Sequence, residues 1–170
     1  MSELIVVGVD GSVEAAMALA RAAQDAALRG ATLRVVSVAR MPEVWAVPLG
    51  MAPPMVPVLP GELPSAARER AQAAVDALFA AHPELARQVT VEVVGVSGHP
   101  ATELIERSRE ADLLVLGHRG LGGLASAFLG SVGLNCVLHA QCPVLIVRPT
   151  HRAEPSPATG DARAAVPSPV

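Results

Sequence analysis

Leu4 to Asp10, LIVVGVD, is a nearly unbroken apolar run, the pattern of a strand buried on both faces. Ser12 is placed to cap a helix behind it. Val13, Ala16, Met17, Ala20, Ala27 and Leu28 keep helical spacing, and Gly30 is a suitable stop. TLRVVSVA, Thr32 to Ala39, reads as a second strand, followed by a proline-rich connection up to about Pro64. Ser65 then opens a second helix with Ala71, Ala74, Val75 and Leu78 on one face, ending at His82. VTVEVVGV, Val89 to Val96, gives a third strand. Pro100 suits the first turn of a third helix, with Ala101, Leu104, Ile105 and Ser108 inward. DLLVLG and PVLIVRP are the fourth and fifth strands. Between them a short helix from Ser131 to His139 is expected to bury Leu134, Val137 and Leu138.

Strands alternating with helices, several of them apolar throughout, predict a mostly parallel sheet covered on both faces. Right-handed crossovers make a doubly wound α/β sandwich the economical topology. Ligands of such sheets sit beyond the carboxyl ends of the strands, where strand order reverses. Asp10 ends the first strand, and the segment VLGHRGLGGLASAFLGSV, Val115 to Val132, overlaps and follows the fourth. Both features therefore fall on one edge of the molecule.

Composition narrows the chemistry. The chain has 170 residues, 51% hydrophobic and 2% aromatic, so its core is filled by aliphatic side chains and alanine. The net charge of −3 gives no general attraction to nucleic acid. All 13 basic residues are arginine, which excludes a catalytic lysine and the usual lysine-bearing phosphate loop. Cys136 and Cys142 lack metal-ligand spacing and read as two reduced, buried thiols. The uncharged stretch from Val44 to Gly61 contains five prolines, so it is not expected to span a membrane. With no secretory pattern in MSELIVVGVDGS, a soluble, cytoplasmic protein is expected. The last 20 residues, with four prolines and no apolar period, read as a disordered tail.

Glycines at 117, 120, 122, 123 and 130 are costly in backbone entropy, and the ordinary reason to keep them is close backbone approach. Gly117-x2-Gly120-x9-Gly130-Ser131 ends at a predicted helix start, where unpaired amides and the positive dipole end favour a phosphate chain. No acidic residue occurs between Asp112 and Glu154, whereas Arg119, Arg148 and Arg152 do. Tight turns and close helix–sheet packing are the alternative explanation of the same glycines. Gly120 to Ala125, GLGGLA, formally fits a dinucleotide fingerprint. It follows the wrong strand, though, and lacks the later acid, so that match is set aside.

The opening VVGVDGS, the segment ADLLVLGHRGLGGLASAFLGSV and the closing CPVLIVRP together resemble the universal stress protein family, in its ATP-binding branch. The resemblance covers residues 1–149 and leaves 150–170 as an appended tail. It implies a five-stranded parallel sheet of the Rossmann-like, adenine nucleotide alpha hydrolase-like kind. It also implies an ATP site, with Mg²⁺ accompanying the nucleotide, and a homodimer through the last strand, about Val144–Val147. Carried over by position, Gly8, Val9 and Asp10 line the adenosine side, and Val38 meets adenine through its backbone. Leu116 and Gly117 flank the ribose, Gly120 and Gly130 approach the phosphates, and Ser131 with Val132 contacts the phosphate chain. His118, Arg119, Gly122 and Gly123 fall where the family varies.

Several residues keep two readings. Asp10 is a ligand contact or a turn former ahead of Gly11-Ser12. Ser131 is a helix cap, a phosphate contact, or both. Arg119 reaches the polyphosphate or is solvated. His118 is a proton carrier, a metal ligand or a hydrogen-bonding spacer. The long 40–64 connection, with the only tryptophan, Trp45, is a lid, a partner surface or a flap packed on its own domain. No nucleophile–base pair or carboxylate dyad is visible, so the expectation is a regulatory or protective ATP-binding protein with at most slow hydrolysis. Two alternatives are an adenylyl-transfer or ATP-cleaving enzyme and a nucleotide-independent interaction protein working through the 40–64 connection.

Overall fold

The computed structural model describes residues 3–40, 61–121 and 129–149. Five parallel strands form one sheet: β1 (Leu4–Val9), β2 (Thr32–Ala39), β3 (Thr90–Ser97), β4 (Leu113–Gly117) and β5 (Val144–Val147). Their order is β3-β2-β1-β4-β5, with the reversal between β1 and β4. The helices are α1 (Val13–Arg29), α2 (Glu62–Ala81), α3 (Pro83–Gln88), α4 (Pro100–Ser108) and α5 (Ser131–His139). The expected fold, a doubly wound α/β sandwich on a five-stranded parallel sheet, is the one observed.

Alternation along the strands sorts the core into two layers. Ile5, Val7, Leu33, Val35 and Val115 face α1 and α2, with Leu19, Ala22, Ala26 and Val75 packed on them. Val6, Val36, Leu114 and Leu116 face the other way, onto Leu104 of α4 and Cys136 of α5. Each layer is aliphatic, as the scarcity of rings requires.

The helices hold the main corrections to the sequence pattern. In α1 the buried stripe is Ala15, Ala18, Leu19, Ala22, Ala23 and Ala26, whereas Val13 and Leu28 stand 74% and 85% exposed. Alanine on nearly every face leaves the periodicity ambiguous, and the smallest stripe wins because it brings the helix nearest the sheet. In α5 the expected face is inverted. Gly133 and Cys136 are buried, while Leu134, Val137 and Leu138 are 48%, 49% and 65% exposed. A Cβ on Gly133 would lie 3.0 Å from Leu129 Cδ1, so seating this helix requires small residues inward. α2 begins at Glu62, three residues before Ser65, and takes Pro64 in its first turn, where no intrahelical amide is needed. The six-residue α3, which the sequence pattern did not anticipate, follows His82; Pro83 starts it.

Other local expectations hold. Ser12 Oγ accepts from the Ala15 amide at 3.1 Å and caps α1. Gly30 closes the helix in the left-handed conformation at φ 64°. No helix among the described residues is long and apolar enough to cross a membrane. The 41–60 stretch with Trp45, Gly122, Gly123 and the tail from 150 onwards lie outside the described residues.

α2 rests directly on the edge strand β3. A Cβ at Gly95 would run into the Arg68 amide nitrogen and the Pro64 carbonyl oxygen, and Arg68 Nη1 donates to the Val93 carbonyl at 2.7 Å. Because backbone cannot yield as a side chain does, Gly95→Ala is expected to destabilise the fold by about 1–3 kcal/mol, read by chemical denaturation.

Candidate functional site

The strand reversal between β1 and β4 opens a crevice at the carboxyl edge of the sheet, and one cavity of about 700 Å³ fills it. All eleven positions expected at a ligand site line this cavity: Gly8, Val9, Asp10, Val38, Leu116, Gly117, Arg119, Gly120, Gly130, Ser131 and Val132. They come from β1 and the turn after it, β2, β4, the loop after β4 and the first turn of α5.

The glycines divide by cause. A Cβ at Gly8 would lie 2.8 Å from Leu116 Cδ2, and one at Gly117 would lie 2.8 Å from the Glu14 carbonyl, so packing explains both. A Cβ at Gly120 would meet the Asp10 carboxylate. Gly130 differs. Its φ is −61°, open to any residue, and the nearest described atoms to its Cβ position, Arg119 Cα and His118 O, are at an ordinary 3.6 Å. Among the described residues nothing in the fold requires glycine there.

Asp10 joins the loops after β1 and β4. Its Oδ1 accepts from the Ser12 amide at 3.0 Å and the Ser12 hydroxyl at 2.6 Å, the turn-forming role. Its Oδ2 accepts from the Leu121 amide at 3.0 Å, across 111 residues of chain. Partial burial pushes the carboxyl up, but the bonds from Ser12 and Leu121 outweigh it and hold Asp10 below its ordinary value of 3.8.

Gly130, not Ser131, is the N-cap of α5, and Ser131 is its first helical residue. The helix start therefore carries no side-chain cap of its own. The first amides of any α-helix have no intrahelical partner, and here Ser131, Val132 and Gly133 are wall residues. His118 is not one. It works through its backbone, donating its amide to the Val147 carbonyl at 2.9 Å and accepting from the Gly130 amide at 3.0 Å. Arg119 is partly buried at the wall instead of standing in solvent.

The wall also contains residues that the sequence did not single out, among them Leu63 and Arg70 of α2, Arg40 after β2, and Leu104 of α4. Val36 was within reach of reasoning, two residues from Val38 on the same strand face. No spacing in α2 points to Arg70; it follows from where that helix lies. With Arg119 the described wall holds three cations against one carboxylate, in a chain whose net charge is −3.

Cys136 and Cys142 are free, and burial pushes the Cys136 thiol up to about 11, with Cys142 raised by the same cause. Both thiols are therefore protonated at neutral pH and poor nucleophiles. Among the described residues no group of three or more histidine, cysteine, aspartate or glutamate side chains is placed to hold a metal ion.

A doubly wound parallel sheet with a cation-lined crest cavity and an uncapped helix start defines a Rossmann-like α/β module. The sequence model of the universal stress protein family matches residues 1–148, and the chain belongs to that family. One universal stress protein of Mycobacterium tuberculosis is 38% identical over 162 residues, covering 91% of this chain and 49% of that protein. Another from the same organism is 35% identical over 145 residues, 85% of this chain and 45% of that protein. The chain thus spans about half the length of the curated relatives it matches. Among solved structures, a universal stress protein in complex with cAMP is 28% identical with a TM-score of 0.57, covering 88% of this chain and 98% of that one. A universal stress protein family member from Burkholderia pseudomallei is 28% identical with a TM-score of 0.53, covering 85% and 95%.

The Asp10 bonds carry a pH signature. Since the folded carboxyl lies below 3.8, their stabilisation is fully present above that ordinary value and is lost as pH falls through the lower folded value. Asp10→Asn is expected to be less stable than wild type at neutral pH, with the gap closing in strongly acidic buffer. Urea denaturation across that range measures it.

Proposed function

We propose that this protein binds ATP at the crest cavity and acts as a cytoplasmic regulatory or protective stress-response module, hydrolysing the nucleotide slowly at most. The observation that carries the reading is Gly130. It is a glycine the described fold does not require, set against the cavity at the uncapped start of α5. A helix N-terminus whose cap has no side chain admits a phosphate close to its free amides. The excess of arginine over carboxylate on the described wall favours an anionic ligand, and the cAMP-bound relative supports a nucleotide.

In this reading Gly8, Val9 and Asp10 line adenosine, and Val38 meets the base through its backbone. Leu116 and Gly117 flank the ribose, and Gly120, Gly130, Ser131 and Val132 take the phosphates, with Arg119 beside them. Mg²⁺ would arrive with the triphosphate, bound by phosphate oxygens and water. Asp10, the one carboxylate of the described wall, already has both oxygens engaged by Ser12 and Leu121. With Asp10 so engaged, and no histidine, lysine or cysteine among the described wall residues to activate the Ser131 hydroxyl, slow turnover is the expected behaviour. The unit responsible is residues 1–149, with 150–170 as an appended tail.

The partner is a second copy through β5. This strand ends the sheet with all four residues only part-buried, and α5, which leads into it, leaves Leu134, Val137 and Leu138 in solvent. The carbonyls of Pro143 and Val147 bond to β4, so the intervening Val144 and Ile146 turn their backbone groups outward. Sedimentation is expected to give twice the 17.4 kDa chain mass, and a proline at Ile146 to shift the protein to monomer without loss of secondary structure.

For the nucleotide, calorimetric titration with Mg-ATP is expected to show micromolar binding by the wild type. Binding should be lost in a Gly130→Trp variant whose melting temperature is unchanged. No heat from nucleotide-stripped wild type overturns the reading.

A further inference from the structure

Arg70 reaches the cavity from α2. Its Nη1 donates to Ser37 Oγ at 3.2 Å, and Ser37 is wholly buried in β2. Its Cδ lies 3.8 Å from the Cβ position of Gly11, in the turn after β1. The guanidinium stem is thus held between the β1 turn and β2, at the mouth of the cavity. A buried hydroxyl is a rigid anchor for an otherwise flexible side chain.

The placement separates two kinds of chemistry. The anion-suited elements, Gly120, Gly130 and the start of α5, follow β4; Arg70 is held instead between the β1 turn and β2, on the side of the cavity that the nucleotide reading gives to adenosine. On the β2 side the wall combines the apolar Val38, Ala39 and Leu63 with a second cation, Arg40. A guanidinium has five N–H donors and no acceptor, and its plane stacks on aromatic rings. One donor is taken by Ser37. The rest suit a flat ring bearing acceptor nitrogens.

We propose that Arg70, positioned by Ser37, recognises the base of the bound nucleotide. This deepens the nucleotide reading and rests on it. The competing role is structural: Arg70 merely satisfies the buried Ser37 hydroxyl.

Full-length wild type, Arg70→Gln, Arg70→Ala and Ser37→Ala are titrated with ATP, ADP and AMP at two salt concentrations, with melting temperatures recorded. Arg70→Ala is expected to weaken all three nucleotides by the same factor, about tenfold, with little dependence on salt. Arg70→Gln should retain part of the affinity through its amide donors, and Ser37→Ala should lose part of it. A loss that grows from AMP to ATP and fades in salt would make Arg70 a phosphate contact and overturn the proposal. Unchanged affinities in both Arg70 variants, with wild type still binding, would leave only the structural role and overturn it equally. Failure of the wild type to bind any of the three would remove the nucleotide reading itself and this inference with it.

Discussion

The parallel pairing of β1 with β4, from Ile5 against Leu113 to Val7 against Val115, is the constraint on which the crest depends. β1 has β2 on its other side, also parallel, so neither neighbour can be reached by a hairpin and each connection must cross over a face. The chain leaving β1 goes to one face through α1, and the chain reaching β4 comes from the other through α4. The loops that follow the two central strands therefore part above the sheet, and a crevice is left between them.

That crevice is then fixed by small residues and one carboxylate. Gly117 lets the first turn of α1 lie against the end of β4, and Gly8 gives room to Leu116 and Leu104. Asp10 bonds at once to its own turn and to the Leu121 amide, so the two loops move as one piece. The expected phosphate-binding glycines thus have unequal causes. Two of the three motif glycines, Gly117 and Gly120, answer to the protein's own packing, and among the described residues nothing crowds a side chain at the third, Gly130.

Much of this was legible from residue order. Buried strands announce themselves as apolar runs, so LIVVGVD, TLRVVSVA and DLLVLG locate the central sheet. The glycine spacing and Asp-Gly-Ser turn locate the crest residues within it. The helix faces were less legible. Val13 and Leu28 looked like core positions of α1, and Leu134, Val137 and Leu138 like those of α5, because large apolar side chains usually point inward. In both helices the sheet instead accepts the small stripe, Ala18 and Ala22 in one, Gly133 and Cys136 in the other. Apolar periodicity identifies a helix, but a helix with apolar residues on two sides does not say which side is covered.

By itself, the sequence determined the class of fold, the edge of the sheet that carries the site and the residues after β1 and β4 that shape it. These are properties of short stretches, each with its own hydrophobic pattern or turn chemistry. Only the tertiary structure decided which face of α1 and α5 is buried, that Asp10 spans two loops, and that Arg70 reaches the cavity between the β1 turn and β2. Those depend on distances between segments remote in the chain. Local propensity is silent about them until the sheet fixes where each helix lies.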